Sequence, residues 1–96
     1  MPKRTDSNHT EVIKALRAIG ACVYSTAIVG QGFPDLAVAF RGDTYLLEIK
    51  DGNKPPSKRQ LTDKERQFWL GFKGRGGIVL SADDAIALVL AGRKLR

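Results

Sequence analysis

The feature that most constrains this chain is an alternating run between residues 35 and 50, interrupted once by Arg41-Gly42-Asp43-Thr44. Side chains on a strand point to opposite faces in turn. Two such strands joined by a short turn residue cluster predict a β-hairpin, Asp35 to Phe40 and then Tyr45 to Lys50. With Gly42 and Asp43 as the two turn residues, Asp35 falls opposite Lys50, Ala37 opposite Glu48, and Ala39 opposite Leu46. One face then carries Leu36, Val38, Phe40, Tyr45, Leu47 and Ile49, which is wholly apolar and reads as core. The other carries Ala37, Ala39 and Leu46 with all three charged residues, Asp35, Glu48 and Lys50.

Other elements arrange themselves around this pair. Val12, Ile13, Leu16 and Ile19 form an apolar stripe, predicting a helix from about Ser7 to Ile19, capped by Asp6 or Ser7 and ended by Gly20. Cys22 to Thr26 reads as a strand. Thr62-Asp63-Lys64-Glu65 has the capping-box pattern and opens a second helix. That helix bears Phe68, Trp69 and Phe72 at core spacing and stops at Gly74, Gly76 and Gly77. Ile78-Val79-Leu80 reads as a short strand. Ser81 caps a last helix that ends at Gly92, with Asp83 and Asp84 in its positive first turn. The order α-β-β-β-α-β-α predicts an α/β fold, a small mixed sheet flanked by helices.

At 96 residues the expectation is a single domain, 1–96. With 43% hydrophobic and 27% charged residues the chain reads as an ordinary globular protein, not a disordered tail or a disulfide scaffold. No uncharged stretch is long and apolar enough for a bilayer span, and the start lacks the apolar core of a signal peptide. The lone Cys22 has apolar neighbours, which predicts a buried thiol and a reducing, cytoplasmic location.

Charge points to a partner. The net charge is +6, and the segment Lys54 to Arg75 holds seven basic and two acidic residues. A positive surface so concentrated favours an anionic partner, nucleic acid foremost; a solvated lysine-rich face is the alternative.

The charged face of the hairpin suggests chemistry. Cross-strand neighbours lie roughly 5 Å apart, so Asp35, Glu48 and Lys50 can converge. The small alanines beside them leave room for an ion or a phosphate. Two carboxylates suit a hard cation such as Mg²⁺, and a lysine suits an anionic transition state. This is a set for metal-dependent phosphodiester hydrolysis. An Asp35–Lys50 ion pair with a solvent-facing Glu48 is the plain alternative.

Gly32-Phe33-Pro34-Asp35, twelve residues, then Glu48-Ile49-Lys50 resembles the signature of the PD-(D/E)XK nuclease superfamily. Over nearly the whole chain the string resembles the small VRR-NUC, or Holliday-junction-resolvase-like, nucleases of phage and prophage type. The supporting pieces are Arg4-Thr5-Asp6-x-Asn8, Leu16-Arg17-x-x-Gly20, Leu46-Leu47-Glu48-Ile49-Lys50-Asp51-Gly52, Lys54-Pro55-Pro56-Ser57 and Leu61-Thr62.

The resemblance implies a Mg²⁺-dependent endonuclease, with Mn²⁺ as substitute, acting on branched or flapped DNA. It implies Asp35, Glu48 and the Ile49 carbonyl as metal ligands and Lys50 as catalytic lysine. The family often adds a ligand from the first helix. His9 and Glu11 compete for that place, His9 by its position on the apolar stripe and Glu11 by its chemistry. Related nucleases often carry a glutamine in the helix after the motif. Here Glu65 stands at that position, and its capping-box role accounts for it without catalysis.

Lys54, Lys58, Arg59, Lys64 and Arg66 would neutralise DNA phosphates. Cutting two strands predicts a homodimer in a bacterial or phage-infected cell, its interface on the last helix's apolar stripe or the second helix's aromatic face. The alternative to catalysis is a basic nucleic-acid-binding module, or an accessory subunit of a larger nuclease complex.

Overall fold

A computed structural model describes residues 8–92. Within it, α1 spans His9–Ala18, β1 Cys22–Ser25, β2 Leu36–Phe40, β3 Asp43–Ile49, α2 Asp63–Gly71, β4 Arg75–Val79 and α3 Ala82–Ala91. The predicted order holds. One four-stranded sheet runs β1-β2-β3-β4, its first two pairings antiparallel and the β3–β4 pairing parallel. The helix α2 provides the crossover that a parallel pairing requires. Among the described residues, no helix is long and apolar enough to cross a membrane.

The apolar hairpin face is the core, as its alternation predicts. Leu36, Val38, Phe40, Tyr45, Leu47 and Ile49 are all buried there, together with Val12 and Leu16 of α1 and Ala85, Leu88 and Val89 of α3. The two helices therefore cover one face of the sheet. In the α3 stripe Leu88 and Val89 belong to this core and Ile86 packs against it, while Leu90 stays exposed. The Tyr45 hydroxyl donates to the Val89 carbonyl at 3.2 Å, satisfying the one polar atom of a buried tyrosine.

The hairpin register differs from the predicted one. Phe40 pairs with Asp43 and Leu36 with Leu47, so the turn residues are Arg41 and Gly42. Both have positive φ, 52° and 84°, the backbone of a tight turn whose twist matches the strands. The shift is two positions, and the side-chain period is two, so no residue changes face. Its consequence is local: the register continued by one residue sets Asp35, not Ala37, against Glu48.

The first helix starts at His9, with Asn8 as its N-cap residue; the predicted caps Asp6 and Ser7 lie outside the described residues. Asn8 makes no side-chain cap; its Nδ2 donates to the carbonyls of Lys50 at 3.3 Å and Leu80 at 3.1 Å. Cys22 is exposed, which corrects the buried thiol. It lies on the edge strand β1, where Val23 turns into the core and Cys22 turns out.

Of the three glycines after α2, Gly76 and Gly77 are strand, and Gly74 lies in the bend before it. The helix ends at Gly71, and β4 begins at Arg75 and includes Gly76 and Gly77. A Cβ at Gly76, which has φ 134°, would collide with the Leu46 carbonyl of β3. Glycine is thus what allows the parallel strands to approach there. Both capping predictions hold. The Thr62–Glu65 capping box is complete, Ser81 accepts from the Asp84 amide, and Gly92 closes α3 in the left-handed conformation.

The aromatic residues of α2 form a cluster of their own beside the main core. Trp69 is buried, while Phe68 and Phe72 are half-buried. Phe68 stacks on Phe72 with centroids 5.2 Å apart and meets Phe33 edge-on at 5.4 Å. This pins α2 to the loop that precedes β2. The same two segments form opposite walls of the cleft described next.

Candidate active site

The charged hairpin face and the start of α2 enclose a cleft of about 490 Å³, lined by Asp35, Glu48, Ile49 and Lys50 and rimmed by Gln31, Gly32 and residues 62–65. Its depth comes from close packing of the two walls. At Gly32, φ is 85° and a Cβ would lie 2.5 Å from the Lys64 carbonyl, so only glycine lets the loop meet the first turn of α2. The alanines expected to make room do not do so. Ala37 pairs with Leu46, and neither Ala37 nor Ala39 lines the cleft.

Asp35 is held on both sides of its chain. Its amide donates to the Leu47 carbonyl at 2.9 Å, and its own carbonyl accepts from Thr26 N at 2.7 Å. The Thr26 hydroxyl donates to the Pro34 carbonyl at 2.7 Å. The side chain crosses to β3, where Asp35 Oδ2 accepts from the Ile49 amide at 2.8 Å. The carboxylate is 2% exposed, and Glu48 beside it is fully buried. Carboxylates so buried are costly unless partnered, and their placement side by side compounds that cost through like-charge repulsion.

Lys50 follows Glu48 on the same face. Its amide donates to the Val79 carbonyl at 2.9 Å, continuing the parallel ladder, and its carbonyl receives the Asn8 amide. Its ammonium lies 4.0 Å from Glu48 Oε2 and 2.9 Å from Glu65 Oε1. The first distance is an ion pair without a hydrogen bond; the second is a charge-assisted hydrogen bond.

Glu65 is the member of this group that sequence reasoning left out. Its cap role is real, since Oε1 accepts from Thr62 N at 2.9 Å. The same oxygen also receives Lys50. Asn8, which braces the ends of β3 and β4, was likewise legible only as part of a resemblance.

His9 and Glu11 do not line this cleft. His9 is buried in the first turn of α1, where among the described residues no hydrogen-bond partner reaches its Nδ1. Glu11 is exposed and borders a separate hollow of about 330 Å³ with Asn8, Asp51 and Asn53.

Lys54, Lys58, Lys64 and Arg66 are exposed on the loop after β3 and the start of α2, and Lys64 lines the cleft itself. Arg59 is half-buried, and its Nε donates to the Lys54 carbonyl at 2.8 Å, so it shapes the loop as well as charging it. Arg66 lies 3.5 Å from Asp63 in an exposed pair.

No family model matches this chain, and no curated protein is detectably similar. A solved structure is: a VRR_NUC domain, 28% identical, aligned over 88% of this chain and 97% of its own length with a TM-score of 0.54. The helix-flanked mixed sheet, with the Pro34-Asp35 and Glu48-Ile49-Lys50 segments side by side on it, agrees with that likeness. The chain has a VRR-NUC nuclease-like fold.

Proposed function

We propose that this protein is a metal-dependent endonuclease that hydrolyses DNA phosphodiester bonds, favouring branched or flapped DNA over a particular sequence. The observation that carries the reading is the juxtaposition of buried Asp35 and Glu48 with Lys50, in a cleft that Lys64 also lines. A module that only bound nucleic acid would be weakened by two carboxylates facing its ligand. The solved VRR_NUC domain supports the nuclease reading through the shared fold.

The donor set suits a hard divalent cation. Mg²⁺ takes oxygen ligands and keeps several waters, so it needs few from protein. Among the described residues no group of three His, Cys, Asp or Glu side chains converges as a cage. Asp35, Glu48 and the Ile49 carbonyl would therefore hold the ion, with water completing its shell; Mn²⁺ would substitute. When bound, the cation supplies charge neutralisation at the scissile phosphate and acidifies water.

The chain's own groups do the rest. The Ile49 amide fixes the Asp35 carboxylate in orientation. The Lys50 ammonium, close to Glu48 and bonded to Glu65, offsets charge that develops on the phosphate and holds the attacking water. Lys54, Lys58, Arg59, Lys64 and Arg66 contact phosphates along the backbone, which gives position without sequence. One cleft cuts one strand, so a duplex cut requires two copies of the chain.

The test is incubation with labelled duplex, flap and four-way-junction DNA in Mg²⁺, Mn²⁺ or EDTA, beside Lys50→Ala protein. Metal-dependent cleavage that Lys50→Ala abolishes supports the reading, and the best-cut substrate names the architecture. Binding of every DNA without cleavage, unchanged in the variant, returns the non-catalytic binding module.

A further inference from the structure

The Lys50 ammonium stands between two carboxylates and is bonded to the one that does not lie beside Asp35. It makes a 2.9 Å hydrogen bond to Glu65 and stays 4.0 Å from Glu48. A lysine stem is flexible, so it goes where its ammonium is anchored. Glu65 is a fixed anchor. Its Oε1 also accepts from Thr62 N at 2.9 Å, and its own amide donates to Thr62 Oγ1 at 3.2 Å. Capping alone does not account for the arrangement. A capping-box carboxylate needs only its own helix start, whereas this one is 5% exposed and receives a lysine fifteen residues away in sequence.

We propose that Glu65 is a positioning residue for Lys50, holding its ammonium off Glu48 so that lysine and metal cation do not compete for one carboxylate. The proposal rests on the reading of Asp35 and Glu48 as the cation's ligands. Without Glu65, Glu48 stands within ion-pair distance of the ammonium, and closing the 4.0 Å gap to hydrogen-bond distance takes about one ångström. A lysine seated there opposes a divalent ion directly, by like charge and by occupying its ligand. The α2 capping box thereby sets where the lysine of β3 points.

The experiment is a double-mutant cycle read by calorimetric titration of Mn²⁺, in the absence of DNA. The proteins are wild type, Glu65→Ala, Lys50→Met and the double variant. Glu65→Ala is expected to weaken Mn²⁺ binding about tenfold, in line with coupling between touching charged groups. In the Lys50→Met background the same substitution is expected to change affinity less than about twofold, since no ammonium is left to move. Glu65→Gln keeps an acceptor for both Thr62 N and Lys50, and restores binding to within about threefold of wild type. Should the alanine variant not fold, Glu65→Asp, shorter by one methylene, is read in the same two backgrounds. Equal losses with and without Lys50 would show that Glu65 acts on the ion or through the fold, and overturn the proposal. So would no loss in either. Absence of Mn²⁺ uptake by the wild type is a different result: it removes the cation reading of Asp35 and Glu48, and this assignment with it.

Discussion

Asp35 shows how one residue serves both fold and site. Its Oδ2 accepts the Ile49 amide inside the protein, and its charge faces the cleft. These roles separate by substitution. Asp35→Asn keeps an oxygen for the Ile49 amide, so melting is expected within a few degrees of wild type while cleavage is lost. Asp35→Ala leaves a buried amide without its acceptor, and should cost about 1–3 kcal/mol in denaturant unfolding as well. Equal stability of the two variants would show that the bond contributes nothing. At this scale the sequence was informative where period-two alternation decides, and silent where three-dimensional closure does. The burial of Tyr45 and Leu47 followed from parity. The partner of Glu48 did not, because sliding a turn by two positions leaves every face unchanged. Nor did the Lys50–Glu65 bond, which depends on how the chain returns over the sheet after β3. Cys22 misled because apolar neighbours in sequence are not neighbours in space on an edge strand.

Among the elements, caps and glycines carry the fold's information unequally. Thr62 and Ser81 were readable as helix starts because their hydrogen bonds are local. The glycines of β4 read as a helix stop, since glycine is poor in strands, and the reason for them lies on the neighbouring strand. Two substitutions test this. Gly76→Ala places a methyl on the Leu46 carbonyl and is expected to unfold the protein or destabilise it by more than about 3 kcal/mol. Gly32→Ala acts at the cleft wall, forcing the loop away from Lys64. It should lower the melting temperature and also raise the Mg²⁺ concentration needed for cleavage, because loop and helix no longer frame the carboxylates together. A Gly32→Ala protein that melts lower but cleaves at wild-type Mg²⁺ concentrations would detach this wall from the site.

For the molecule as a whole, the division of labour follows the two faces of the sheet. The apolar face, under α1 and α3, supplies stability. The opposite face, with α2 at its end, holds the charged groups. Most of the net charge of +6 comes from the segment Lys54 to Arg75, from which Lys64 lines the cleft on that second face. DNA binding is therefore expected to weaken steeply with salt and to vary little with sequence. Removing Lys54, Lys58 or Lys64 singly should reduce the slope of log affinity against log salt by about 1 each and weaken all sequences alike. A substitution that altered one sequence selectively would show base reading instead. The composition made the basic segment legible; it did not show that Lys64 reaches the cleft from α2.

The most direct test of the central claim compares wild type with Glu48→Gln in single-turnover cleavage and in DNA binding, both in Mg²⁺. Glutamine fits the buried site and removes only the charge. The account predicts binding equal to or tighter than wild type and cleavage reduced at least about a hundredfold, the scale of losing one ligand of a catalytic cation. Cleavage at the wild-type rate in Glu48→Gln protein would contradict it.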